Sequence, residues 1–259
     1  MTYLLALAVV FTTLWTSILT IFSTREMPES RYRSSFRVIL WAKRVCAQMA
    51  VEIKVEFASK VVQEKGRPHM IMVNHRSYYD IPICMLGFKF WHVRNIAKAE
   101  LFKIPIWNRA MKIAEIISID RTNPQSAMES LEEAKRKMQD GIISWISPEG
   151  TRSPTDEMLP FKPGGFKMSM DLGGIIIPAI IVGADKILPK NGRKLTRGHQ
   201  VTLRIGSPID TQGLKKFERK QLMRDVREAM EALQKNDNLP YKFDNPEEAA
   251  AFVKVNELG

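Results

Sequence analysis

Between residues 51 and 235 the chain alternates short apolar runs with stretches of helical periodicity, and this restricts its fold more than any other feature. Val51-Glu52-Ile53-Lys54-Val55-Glu56-Phe57 alternates strictly between apolar and charged residues, the pattern of a strand with one buried face. Residues 70–73, 92–97, 116–119, 142–146, 175–182 and 201–205 read as further strands, and Pro178 inside one of them implies an edge or a bulge. Helical stretches cover 29–50, 104–113 and 167–172, and another opens at Asn123-Pro124 and ends at Gly141. Residues 214–235 form a long amphipathic helix with Phe217, Leu222, Val226, Met230 and Leu233 on one face, and 246–255 suggests a last helix. This order implies an α/β fold with a mixed, largely parallel sheet flanked by helices. Sites in such sheets lie beyond the carboxyl ends of the strands. The expected division is residues 1–50 as an anchor and amphipathic helix, 51–235 as the α/β domain and 236–259 as a polar tail.

The N-terminus carries no charged side chain from Thr2 to Thr24, and its apolar run is long enough to cross a bilayer, which takes roughly 20 residues. A cleaved signal would show a basic start and an A-x-A-like site, and neither is present. Thr12, Thr13, Thr16, Ser17 and Thr20 leave a second reading open, a helix embedded in one leaflet. Arg25, Arg31, Arg33, Arg37, Lys43 and Arg44 follow at once, which by the positive-inside rule places the body of the chain on the cytoplasmic face of a membrane. The whole chain has 39 Lys and Arg against 28 Asp and Glu, a net +11, suited to an anionic membrane surface or a phosphorylated substrate. No C-x-x-C pair, RNP-like aromatic cluster or basic-leucine heptad occurs, so nucleic acid is not an expected partner. Cys46 and Cys84 read as reduced core residues, and no metal-ligand cluster is evident.

Three polar constellations follow apolar runs. Asn74-His75-Arg76-Ser77-Tyr78-Tyr79-Asp80 holds a histidine, the natural base near neutral pH, and a carboxylate able to fix its tautomer. Positions five apart differ by roughly 140° on a helix, so the two meet only if His75 lies in the turn before a helix and Asp80 in its first turn. On this stretch alone, a solvated loop histidine is the favoured reading. Ser147-Pro148-Glu149-Gly150-Thr151-Arg152-Ser153 suits an anion through its glycine, hydroxyl and guanidinium, or else a surface turn with a structural Glu–Arg pair. Ile119-Asp120-Arg121-Thr122 brings a second arginine to the same end of the sheet, or else a capping Asp beside a solvated Arg.

Together the constellations resemble the glycerolipid acyltransferases of the lysophosphatidate (1-acyl-glycerol-3-phosphate) type, the PlsC-like enzymes. Asn74 to Asp80 matches their N-H-x4-D motif, and Ile119-Asp120-Arg121 is similar to their second motif. Pro148 to Ser153 matches F-P-E-G-T-R-S, with Ser147 in place of Phe, and Ile177-Pro178-Ala179-Ile180 resembles the fourth motif. Lys98-Ala99-Glu100-Leu101, Ile104-Pro105 and Phe161-Lys162-Pro163-Gly164 resemble intervening stretches, Pro163 departing from the commoner Lys. The resemblance covers about residues 70–183. It implies acyl transfer from acyl-CoA or acyl carrier protein to the sn-2 hydroxyl of 1-acyl-glycerol-3-phosphate at a membrane, giving phosphatidate, without a covalent enzyme intermediate or a further cofactor. It implies His75 as general base, Asp80 as its orienting carboxylate, and Arg121, Glu149, Gly150, Thr151 and Arg152 as the phosphate site. Lys98 is implied as a contact to phosphate or to the oxyanion. Glycerol-3-phosphate, another lysophospholipid or a lyso-aminolipid remains an alternative acceptor.

Overall fold

The structure, a computed structural model, describes residues 2–23, 30–89, 91–120, 124–192 and 194–236. Their elements run α1 (Thr2–Ser23), α2 (Ser30–Gln48), β1 (Glu52–Phe57), β2 (His69–Val73), α3 (Asp80–Gly87), β3 (Val93–Lys98), α4 (Trp107–Ile113), β4 (Ile117–Ile119), α5 (Pro124–Gln139), β5 (Ile143–Ile146), α6 (Pro163–Asp171), β6 (Ile175–Val182), β7 (Gln200–Ile205), β8 (Ile209–Asp210) and α7 (Arg219–Lys235). The strands form one sheet in the order β1-β7-β6-β2-β5-β3-β4, with β8 beside β6. β6, β2, β5, β3 and β4 run parallel to one another, and β6 meets β7 and β8 antiparallel. The sheet is thus mixed and largely parallel. The carboxyl ends of β2, β5, β3 and β4 share one edge, where the polar constellations emerge.

Side-chain alternation divides the core between the two faces of the sheet. Ile71 and Val73 of β2 pack with Ala42 and Val45 of α2, with Met49 just beyond that helix, and with Ile83 of α3. Met70 and Met72 pack with Met138 of α5, Phe166 of α6, and Val226 and Met230 of α7. Cys46 and Cys84 are free and buried in the first layer, and burial pushes the Cys46 thiol up to about 12.

Three expectations are adjusted by the structure. Pro178 is not on an edge, because β6 lies between β2 and β7. Its antiparallel side changes partner there, from Ile209 of β8 opposite Ile176 to Ile205 of β7 opposite Ala179. The Pro178 carbonyl accepts the Gly206 N–H (2.8 Å) in this break, so the missing proline N–H faces the gap and takes no bond from β2. The helix expected from residue 214 becomes a 3-10 turn, Lys216–Glu218, followed by α7, and Phe217 is 82% exposed. Glu218 accepts the Lys215 N–H (2.7 Å) and so marks the helix start beyond Phe217. α6 begins earlier than the expected 167, at Pro163, a residue suited to a first helical turn. The tail helix expected over 246–255 lies outside the described residues.

α1 turns its hydroxyl face inward and its apolar face out. Thr12, Thr16, Ser17 and Thr20 are buried, while Leu4, Leu7, Phe11 and Phe22 are exposed. Trp41 of α2 donates its indole N–H to Thr13 Oγ1 (3.0 Å), and Gln48 donates to Thr12 Oγ1 (2.6 Å). Thr13, Ser17 and Thr20 also donate to the carbonyls of Val9, Thr13 and Thr16, which satisfies these three hydroxyls, while Thr16 Oγ1 is buried without a partner. Among the described residues α1 is the one helix long and apolar enough to cross a membrane.

Candidate active site

The site is built from the loops that follow β2 and β5, which are hydrogen-bonded neighbours. Beyond β2 the Asn74 side-chain amide continues the ladder: Nδ2 donates to the Ile181 carbonyl (3.0 Å), and Oδ1 accepts the Ile181 N–H (2.8 Å). This fixes the departure of the chain just before His75. His75 then lies in the turn before α3, and Asp80 opens that helix, the only arrangement in which their spacing permits contact. His75 Nδ1 stands 2.8 Å from Asp80 Oδ2. The same oxygen accepts the N–H of Arg76 (2.7 Å) and of Ser77 (2.8 Å). An oxygen so surrounded is an acceptor, so Nδ1 carries the hydrogen and Nε2 presents a lone pair. Asp80 is buried, and His75 remains about one-fifth exposed. Trp145 of β5 meets the imidazole edge-to-face, with centroids 6.0 Å apart, and limits its rotation.

The loop after β5 is stitched to the same histidine. Pro148 and Glu149 occupy a turn closed by the Gly150 N–H on the Ser147 carbonyl (3.1 Å), and Gly150 has a φ of +74°, a left-handed conformation that glycine adopts without strain. The Ser153 N–H donates to the His75 carbonyl (2.7 Å). Glu149 is buried, and its two oxygens accept the His75 N–H (3.2 Å) and the Leu159 N–H (2.9 Å). Burial raises its pKa, and these two bonds oppose the rise. Glu149 therefore braces the two loops, and the Gly150 N–H is engaged within its own turn. Neither presents a free donor to an anion through these atoms, whereas Thr151 is exposed and Arg152 is half-buried.

Arg152 lies over the Tyr78 ring, its Cζ 3.9 Å from the centroid, and its Nη1 is buried without a hydrogen-bond partner. Arg76, beside His75, is instead paired with Asp156 and with Asp185 (3.3 Å). Lys98 is the exposed last residue of β3, in register with Ile119 at the end of β4. Its backbone is two strands from β2, roughly 10 Å away. Asp120 follows β4 and donates its N–H to Ser130 Oγ (3.1 Å). Arg121 lies outside the described residues. An apolar cavity of about 220 Å³ opens beside α3, lined among others by Tyr78, Ile81 and Met85 and, opposite, by Thr16, Trp41 and Met111. Tyr78, Trp145 and Arg76 carried no sequence signal as site residues, because their partners are distant in the chain.

An imidazole held by a carboxylate at the carboxyl edge of a mixed sheet, next to an arginine and an apolar cavity, has the geometry that a general base needs. Residues 52–182, about half of the chain, match the family described as Acyltransferase, and the chain belongs to that family. It is 30% identical over 179 residues to the 1-acyl-sn-glycerol-3-phosphate acyltransferase alpha of Ovis aries, covering 69% of this chain and 62% of that protein. A chloroplastic 1-acyl-sn-glycerol-3-phosphate acyltransferase of Brassica napus, BAT2, is 30% identical over 143 residues, 55% of this chain and 41% of its own length. The match thus spans less than two thirds of these relatives. The crystal structure of the 1-acyl-sn-glycerophosphate (LPA) acyltransferase PlsC from Thermotoga maritima superposes with a TM-score of 0.73 at 27% identity, covering 90% of this chain and 95% of that one.

Proposed function

We propose that this protein transfers an acyl chain from acyl-CoA or acyl carrier protein to the sn-2 hydroxyl of 1-acyl-glycerol-3-phosphate, giving phosphatidate, at a membrane surface. The observation that carries the reading is the His75 Nδ1–Asp80 Oδ2 contact of 2.8 Å. With Nδ1–H committed to Asp80, Nε2 takes the proton of the acceptor hydroxyl as its oxygen attacks the thioester carbonyl. The C–O bond forms, the tetrahedral oxyanion collapses, and the C–S bond breaks. The imidazolium returns its proton to the departing thiolate. Asp80 stabilises the imidazolium in between. A thioester is already electrophilic, so a base, a cation near the oxyanion and positioning suffice.

The acceptor's phosphate is assigned to Arg152, whose buried Nη1 lacks a hydrogen-bond partner, with Thr151 beside it and Lys98 at the same edge of the sheet, and Arg121 is proposed as a further ligand from the motif alone. Glu149 and Gly150 shape that loop. The cavity bounded by α1, α2, α3 and α4 suits an aliphatic chain, and the outward apolar face of α1 suits lipid. The basic residues after α1 support placement of the site on the cytoplasmic face, against anionic headgroups.

Purified protein offered lysophosphatidate, glycerol-3-phosphate, other lysophospholipids and a lyso-aminolipid, each with acyl-CoA and with acyl carrier protein, tests the reading by product mass. Phosphatidate from the lysophosphatidate arm is expected. Acylation of another acceptor in its place would overturn the acceptor assignment, and no acyl product in any arm would overturn acyl transfer.

A further inference from the structure

We propose that Tyr78 is a positioning residue that holds Arg152 open for the acceptor's phosphate; this rests on the acyl-transfer reading above. The guanidinium stacks on the Tyr78 ring at 3.9 Å, and among the described residues it forms no ion pair with a carboxylate. Its Nη1 is buried with no hydrogen-bond partner. Arg76, four residues from Asp80, differs in its ion pairs: Asp156 takes its Nη1 and Asp185 its Nη2, while its Nε is buried without a partner. A carboxylate would orient Arg152 equally well but would take the N–H groups a phosphate needs. A ring face orients the guanidinium through its π surface and occupies none of its in-plane N–H groups.

The tyrosine is itself fixed on both sides. Ser77 donates its hydroxyl to the Leu188 carbonyl (2.8 Å), and Asp80 is anchored in the first turn of α3. Tyr78 is nevertheless 59% exposed, a position that its neighbour Tyr79, at 4%, does not share. Tyr78 also lines the apolar cavity. It therefore stands where the charged head of a lysolipid gives way to its chain, and it couples headgroup recognition to the turn that carries His75.

The test is steady-state kinetics in detergent micelles with lysophosphatidate and acyl-CoA, comparing the unaltered protein with Tyr78→Phe, Tyr78→Leu and Arg152→Ala, alongside each variant's Tm. Tyr78→Leu removes the ring, and the KM for lysophosphatidate is expected to rise about 3- to 30-fold, the range of a cation–π contact, with kcat and the donor KM little changed. Tyr78→Phe keeps the ring and is expected to restore the KM to within about twofold. A general packing role would not produce that split with rescue. An acceptor KM that rises in Arg152→Ala but not in Tyr78→Leu overturns the inference and spares the functional reading. So does a Tyr78→Leu effect confined to the donor KM or to acyl-chain length. Unaltered protein that fails to turn over lysophosphatidate takes the inference down together with the reading.

Discussion

Asp80 Oδ2 gathers three N–H groups within one turn of chain: the His75 ring and the backbones of Arg76 and Ser77. The carboxylate thus sets the ring's tautomer and the shape of the turn together. Asp80→Asn keeps the size and one accepting oxygen, but it can turn an amide N–H toward Nδ1 and favour the wrong tautomer. Turnover is expected to fall by about 10²–10⁴-fold, with the Tm lowered by only a few degrees. Steady-state rates beside a thermal melt check this, and near-normal turnover in Asp80→Asn would refute the dyad. The spacing showed which turn this pair would need, and the N-H-x4-D resemblance, not the stretch alone, pointed to the pairing itself. Glu149 was not: it was expected among the phosphate ligands, and its bonds to His75 and Leu159 arise only once β2 and β5 are neighbours. The Arg152–Tyr78 stack was hidden for the same reason.

At the scale of elements, α2 is clamped to the sheet by a polar cluster. Arg94 of β3 is buried and donates to Ser34 Oγ (3.2 Å), Ser35 Oγ (2.7 Å) and the Val93 carbonyl (2.9 Å). Ser35 Oγ also meets His92 Nδ1 (2.8 Å), and Tyr32 packs edge-on against that ring. Arg31 pairs with Glu115 (2.6 Å) and Asp140 (2.5 Å). Burial lowers the His92 pKa, the positive charges of Arg94 and Arg31 lower it further, and Glu115 opposes them. The unfolded chain therefore takes this proton before the folded one. The contribution of a neutral His92 is complete above the ordinary imidazole value, about 6.5, and is lost as pH falls from there toward the folded value. The Tm of the unaltered protein is expected to drop more between about pH 7.5 and 5.5 than that of His92→Asn, and parallel curves would contradict this. Period-two and period-3.6 patterns made nearly every strand and helix legible. They did not reveal this clamp, nor the place of Pro178 beside the β7–β8 break, because both depend on which elements become neighbours.

For the whole molecule, α1 inverts the usual soluble arrangement. Its hydroxyls, which read as a weakness in a membrane span, form the docking face toward α2, and its large apolar side chains point away from the protein. Tyr32 and Phe36 of α2 are exposed as well, and the basic side chains of Arg33, Lys43 and Arg44 lie on the same helix. Such a surface suits lipid, in keeping with the proposed membrane placement. Replacing Leu7 and Phe11 together by Asp removes apolar burial of roughly 1.5–3 kcal/mol each, so binding to anionic vesicles is expected to weaken by at least about tenfold with the fold retained. Sedimentation with vesicles, set beside circular dichroism, checks this, and unchanged partitioning would count against a membrane role for α1. Composition signalled the membrane, but not that the hydroxyl stripe would dock on α2.

The claim on which the rest depends is that His75 acts as a base at this surface. The most direct measurement follows phosphatidate by mass from lysophosphatidate and acyl-CoA, with the His75→Ala variant beside the unaltered protein and vesicle binding recorded for both. Product lost by about 10²-fold or more, with binding intact, is the expected result. Phosphatidate formed by the variant at the rate of the unaltered protein would contradict it.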